Sequence, residues 1–184
     1  MELFTETGLF LYPLALCSLL ALIVIFERLI NLRLERILPE SEKLLFTTGQ
    51  IEQLGSDERA ASGRIVAFAR IYPKDREALR AFSQVEVSKM ERGLFLLEIV
   101  IGAAPLIGLL GTVTGLTQVF GGLSFQSGVD DSEALIAGIA MALNTTILGL
   151  AIAIPTLAAY AYFTRKVDKL AAQLALGVEA LSKR

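Results

Sequence analysis

The sequence predicts an all-α integral membrane protein with three transmembrane helices, spans two and three extended into long cytoplasmic helices. Two observations carry this. Of its 184 residues, 54% are hydrophobic, above the roughly 45–50% apolar share of ordinary soluble domains. The apolar residues also gather into three runs without a single charge, 7–26, 99–129 and 134–164. The expected organisation is one membrane module over 1–184. Its spans are placed at 7–26, 99–122 and 134–162, with a cytoplasmic helical region over 27–98 and a cytoplasmic tail over 165–184.

Composition removes several classes of function. The chain has one Cys and no His, which excludes a Cys/His zinc site, an intrachain disulfide and any Ser-His or Cys-His dyad. A net charge of −2 gives no basic footprint for nucleic acid. No cofactor is expected, and the chain does not read as an enzyme.

The first run holds 20 residues, which matches the about 20 that one spanning helix needs. Glu2 and Glu6 precede it and no basic residue does, so it is expected to be a span and not a secretory signal. Cys17 reads as a small packing residue. Glu27 and Arg28 close the run and are expected to mark the membrane edge, their aliphatic stems reaching back along apolar surface.

Twelve Lys and Arg fall in 27–98, five in 165–184, and none in 1–26 or 99–164. Basic residues accumulate on the cytoplasmic side. The N-terminus and the loop near Ser124–Glu133, with Asp130, Asp131 and Glu133, are then external, and the C-terminus is cytoplasmic.

The region 27–98 carries 12 charges of each sign, a balance that suits solvated helix faces with mixed ion pairs. Pro39 and Pro73 are the expected breaks. The first helix is expected to reach about Leu38, with one or two short helices over roughly 40–72 and a turn at Gly55-Ser56-Asp57, where Ser56 or Asp57 would cap the next helix. A long helix is expected to start near Lys74 or Asp75 and run unbroken into span two, with Gly93 the one weak point. In the tail, Val167, Leu170, Leu174 and Leu181 form an apolar stripe at helical spacing, so span three is expected to continue as an amphipathic helix.

The second and third runs have 31 residues each. Wholly helical, such a run is about 46 Å long against a hydrocarbon core of about 30 Å, so these helices tilt or extend past the bilayer. Both carry small-residue faces. In span two, Gly108, Gly111 and Gly115 share one face with Thr112. In span three, Gly138, Ala142, Thr146, Gly149 and Ala153 do the same, with Asn144 and Thr145 adjoining. Small faces let helix backbones approach in lipid. Thr114, Thr117 and Thr156 are evenly balanced between function and simple bonding to the preceding turn of their own helix. Thr112 and Thr146 stand out because each lies on the small face, at a depth where a hydroxyl can line a cavity.

Neither long run contains Asp, Glu, Lys, Arg or His, although intramembrane ion paths usually show such a group. If protons cross here, the carrier must come from another chain. Glu98, at the cytoplasmic entrance of span two, is the nearest candidate carboxylate, and its plainer role is as an interface residue. Gly108–Gly115 is Gly-rich but lacks the Gly-Lys-Ser/Thr ending of a phosphate loop.

Two stretches carry a family resemblance. Ala104-Pro105-Leu106-Ile107-Gly108-Leu109-Leu110-Gly111-Thr112-Val113 resembles the second-span signature of the ExbB/TolQ/MotA family. Gly138-Ile139-Ala140-Met141-Ala142-Leu143-Asn144-Thr145-Thr146, then Gly149-Leu150 and Ala153-Ile154-Pro155, resembles its third-span signature. Three spans favour the ExbB/TolQ branch over the four-span MotA branch. The resemblance implies a homopentamer in the bacterial inner membrane, its central pore lined by spans two and three. It also implies a single-span partner resembling ExbD or TolR, whose intramembrane Asp carries the proton. Thr112 and Thr146 then correspond to the pore threonines, with Thr145 and Asn144 beside them on the proton pathway. Gly108, Gly111, Gly115, Gly138, Ala142 and Gly149 would form the packing around the pore. Relatives often carry Glu where this chain has Met141. Two readings follow: the pore and stator subunit of a proton-driven motor, or a membrane scaffold that conducts nothing.

Overall fold

The computed structural model describes residues 8–32, 46, 60–72, 75–122 and 132–182, and the described elements are helical. They are α1 (Gly8–Asn31), α2 (Ala61–Ile71), α3 (Arg76–Glu91), α4 (Leu94–Gly122) and α5 (Ser132–Ser182). Three helical stretches, Phe10–Asn31, Arg76–Gly121 and Gly138–Leu181, are long and apolar enough to cross a membrane. Each overlaps one of the three charge-free runs. The chain divides into two compact units, one within Met1–Ile25 and Leu96–Tyr160, the other within Phe26–Phe95 and Ala161–Arg184.

The first unit holds the apolar parts of α1, α4 and α5. In α1 the buried positions are Leu14, Ala21 and Val24, a narrow stripe at steps of seven and three. Most of the other large residues of this helix, among them Tyr12, Leu16 and Ile23, are exposed. A helix that buries one stripe and exposes Leu and Ile elsewhere suits a lipid solvent. In this unit α4 buries Leu97 and Val100 near its start, and from Ala104 onward the buried positions of α4 and α5 are small residues, Ala104, Gly108, Gly111, Ala142, Gly149 and Ala153, together with Thr145 and Thr156.

The second unit has a conventional core. Phe46, Ile65, Val66, Leu79, Phe163, Val167, Leu170 and Leu174 are all nearly inaccessible. All four residues of the predicted tail stripe are buried, and α5 is a 51-residue helix that runs well past the charge-free run. Gly177 makes room for the ring of Phe46, which a Cβ at that position would strike. Between α2 and α3, Phe68 stacks on Phe82 with ring centroids 4.5 Å apart.

Two expectations change at this level. The first concerns the long helix. Asp75 caps its start as expected, its Oδ1 accepting from the Ala78 amide at 2.9 Å. The helix is nevertheless not continuous into span two, because α3 ends at Glu91 and α4 begins at Leu94. Gly93 sits at φ +95°, a left-handed conformation that glycine adopts without steric cost and that ends a helix. Second, Arg28 does not reach out along the membrane edge. Its side chain is 7% exposed and its Nη1 donates to the Met90 carbonyl at 3.0 Å. That carbonyl belongs to the last turn of α3, which lacks intrahelical partners, so a guanidinium from α1 caps α3. The described α2 starts at Ala61, and its cap, Ala60, makes no side-chain bond; Ser56 and Asp57, the expected caps, lie outside the described residues. The reach of the first helix to Leu38, the turn at Gly55–Asp57 and the loop from Ser124 to Asp131 lie outside the described residues.

The balanced charge of 27–98 conceals a buried carboxylate. Glu86 is 1% exposed and pairs with Arg64 at 2.5 Å and Lys89 at 2.7 Å. Burial pushes its pKa up, but the hydrogen bonds and charges of Arg64 and Lys89 outweigh this and hold it below the usual carboxylate value.

Candidate functional site

The small-residue faces of α4 and α5 meet each other. A Cβ on Gly149 would lie 2.5 Å from the Ala104 carbonyl oxygen, and one on Gly108 would lie 2.7 Å from the Thr145 carbonyl oxygen. A Cβ on Gly115 would lie 3.0 Å from that of Ala142, and one on Gly138 would strike Val119. The obstacles at Gly108 and Gly149 are backbone atoms, which cannot move aside as a side-chain tip can. Glycine is therefore what lets the two helices touch, as small residues do in lipid. Gly108, Gly111, Gly115, Gly138, Ala142 and Gly149 all lie at this contact.

At the centre of the contact, three hydroxyls converge on two backbone carbonyls. Thr112 Oγ1 donates to the carbonyl of Gly108 or Ala142, each at 3.1 Å. Thr145 Oγ1 reaches the same two carbonyls, Ala142 at 2.7 Å and Gly108 at 3.0 Å. Thr146 Oγ1 lies 3.2 Å from the Gly108 carbonyl and shares a hydrogen bond with Thr112 Oγ1. Thr145 is 3% exposed, whereas Thr112 and Thr146 are half-buried. Gly111 adjoins the cluster, where a Cβ would come 2.8 Å from Thr145 Oγ1.

The structure thus joins Thr112, Thr145 and Thr146 and leaves out Asn144, which is half-buried and takes no part in these bonds. Glu98 is exposed near the start of α4, away from the threonines in sequence by more than three helical turns. The side chain of Met141 lies outside the described residues. Thr114, Thr117 and Thr156 bond to carbonyls of their own helices, at Leu110, Val113 and Ile152 respectively, so their polarity is absorbed locally. Helical-face reasoning ranked Thr146 above Thr145. The geometry makes Thr145 the more buried of the two and gives it the shorter carbonyl contacts. The available signal was the Thr-Thr pair itself: adjacent positions are 100° apart, so a wide enough contact takes in both.

Three long apolar helices, two of them held together through glycine and a shared hydroxyl cluster, define a polytopic membrane protein with a polar point inside an otherwise apolar contact. Residues 69–175 match the MotA/TolQ/ExbB proton channel family, and the chain belongs to that family, on its ExbB/TolQ branch. It is 31% identical over 181 residues to a biopolymer transport protein ExbB homolog of Methanothermobacter thermautotrophicus, covering 91% of this chain and 64% of that one. It is 36% identical over 167 residues to the biopolymer transport protein ExbB-like 1 of Synechocystis, covering 82% of this chain and 65% of that one. It is 28% identical over 191 residues to the biopolymer transport protein exbB1 of Vibrio cholerae, covering 94% and 82%. The chain therefore spans just under two thirds of the length of the first two relatives.

Proposed function

We propose that this chain is the pore and stator subunit of an energising complex that couples inward proton flow, driven by the proton-motive force, to work on an envelope or outer-membrane client. The observation that carries the proposal is the Thr112–Thr145–Thr146 cluster, set between two spans whose charge-free runs hold no Asp, Glu, Lys, Arg or His. A threonine hydroxyl does not ionise in the physiological range, so it cannot carry the proton itself. It can lower the cost of bringing a carboxylate into an apolar interior, because a hydrogen bond to a charged acceptor is roughly twice as strong as a neutral one. The carrier is then an Asp on a single-span partner resembling ExbD or TolR. Protonated, that Asp is neutral and passes the apolar zone. Ionised, it is held by hydroxyls.

The remaining parts of the proposal follow from the family and the charge distribution. The chain assembles as a homopentamer around the partner's spans in the bacterial inner membrane. Its N-terminus is periplasmic and its C-terminus cytoplasmic, a reading supported by the Lys and Arg of 27–98 and 165–184. The exposed apolar residues of α4 and α5, among them Leu106, Val113, Ile147 and Ile154, supply surface for neighbouring copies and lipid. Rotation of the partner relative to the ring would deliver the work.

The test is Thr146→Val. The expected result is loss of client activity, with the native mass of the complex (five copies of this chain plus the small partner) unchanged. Full activity of that variant would overturn the proton pathway and favour a scaffold that conducts nothing.

A further inference from the structure

The hydroxyl cluster holds more donors than backbone acceptors, and this imbalance assigns Thr145 a role. Inside an α-helix each carbonyl oxygen has two lone pairs, and one is already taken by the amide four residues on. The carbonyls of Gly108 and Ala142 each lie inside a helix, so each retains one lone pair for a hydroxyl. Three hydroxyl protons compete for those two sites. One hydroxyl must therefore donate to another hydroxyl, and the contact that allows it is Thr112 with Thr146.

Thr145 has no better outlet. It is buried, and among the described residues its oxygen meets the two carbonyls at 2.7 and 3.0 Å and Thr112 at 3.5 Å. The carbonyls are the closer acceptors, so it keeps one of them and the surplus proton falls on the half-buried pair. We propose that Thr145 is a positioning residue that keeps the Thr112–Thr146 pair one backbone acceptor short, so that the pair donates to a carboxylate arriving from the partner without giving up a backbone bond. Remove the Thr145 hydroxyl and the shortage disappears. Thr112 then takes the Ala142 carbonyl and Thr146 the Gly108 carbonyl, both within reach as the helices stand. Donation to a carboxylate then gives up a bond to a backbone carbonyl, where the wild type gives up only the bond between the two hydroxyls. Hydrogen bonds to the charged form lower a carboxyl pKa, so weaker donation raises it. The glycines at 108 and 111 leave the space that Thr145 occupies, since a Cβ at either would come within 3 Å of a Thr145 atom.

This inference rests on the reading of Thr112 and Thr146 as the proton pathway, and the experiment separates the two. The complex with its one-span partner is reconstituted in liposomes, and proton flux under an imposed potential is followed as a function of pH. Wild type is compared with Thr145→Val, Thr145→Ala, Thr145→Ser and Thr146→Val, each checked for native mass. The expected result is that Thr145→Val and Thr145→Ala assemble and conduct with the pH midpoint moved up by about one unit, the scale of one hydrogen bond to a charged group. Thr145→Ser, which keeps the hydroxyl, should overlay the wild type. An unchanged midpoint in Val and Ala, or a Ser variant shifted as far as they are, would overturn the role of Thr145 while a silent Thr146→Val left the pathway standing. Failure of both Val and Ala to assemble, with Ser intact, would make Thr145 a packing clamp and overturn it also. Wild-type flux and midpoint in Thr146→Val would remove the pathway itself, and this inference with it.

Discussion

At the scale of single residues, polar groups in this chain act according to whether their own helix satisfies them. Thr114, Thr117 and Thr156 each bond to a carbonyl of the preceding turn, and their effect ends there. Thr112, Thr145 and Thr146 bond across two helices, so they couple α4 to α5. The sequence supplied the candidates through composition and helical faces, but not the order among them, because spacing along one helix does not report which carbonyls on another lie opposite. Glu86 shows the same limit. Its partner Arg64 is 22 residues away, so twelve charges of each sign read as solvated faces. Its depressed pKa makes a definite prediction. A carboxylate with a lowered folded-state pKa stabilises the fold above its unfolded pKa of about 4.3, and that stabilisation is lost as pH falls through the folded value. Thermal unfolding in detergent should therefore lose stability on acidification below about pH 4.3. Glu86→Gln should be less stable at pH 7, by about 2 kcal/mol for a buried pair whose Arg is one-third exposed, and should lose this component of the pH dependence. A Gln variant with the wild-type profile would show that Glu86 contributes nothing.

At the scale of elements, charge-free length made the three long helices visible and the small faces indicated that two of them pack closely. The break between α3 and α4 was legible only as a weak point at Gly93. Glycine permits a positive φ without requiring it, and what favours the break here is tertiary: the Arg28 guanidinium, 62 residues from Met90, satisfies the carbonyl that the ending helix leaves open. Alanine at Gly93 would be strained at φ +95° and would place its Cβ 3.2 Å from Arg28 Nε. Gly93→Ala should cost about 1–3 kcal/mol, read as a lowered unfolding midpoint. An unchanged midpoint would mean that the joint re-forms as continuous helix at no cost. The glycines of α4 and α5 supply a matched pair. Gly149→Ala places a Cβ against the backbone oxygen of Ala104, and the helices must part, costing about 1–3 kcal/mol as overpacking does. Gly102→Ala meets nothing within 4 Å and should be neutral or slightly stabilising, because alanine is the better helix former. Equal effects at the two sites would mean that close approach at Gly149 is not what holds α4 to α5.

At the scale of the whole molecule, the proposed direction of the proton rests on the distribution of charge. Basic residues crowd 27–98 and 165–184, while the segment between spans two and three carries Asp130, Asp131 and Glu133 and no Lys or Arg. If the basic regions are cytoplasmic, the acidic segment faces the side from which protons enter, and its carboxylates raise the local proton concentration at the mouth of the path. The arrangement is testable with one background. Cys17 is the only native cysteine, so Cys17→Ser followed by a single new cysteine reports sidedness without ambiguity. Ser124→Cys should react with a membrane-impermeant maleimide in intact cells, and Ser182→Cys only after permeabilisation. The reverse pattern would put the acidic segment and the threonine cluster on the opposite route. The same proton-motive force would then drive protons toward 123–131 rather than away from it, and the coupling proposed here would run backwards. Labelling therefore bears on mechanism as well as topology: the two carbonyls and three hydroxyls at the α4–α5 contact serve a proton moving inward only if the acidic segment lies outside.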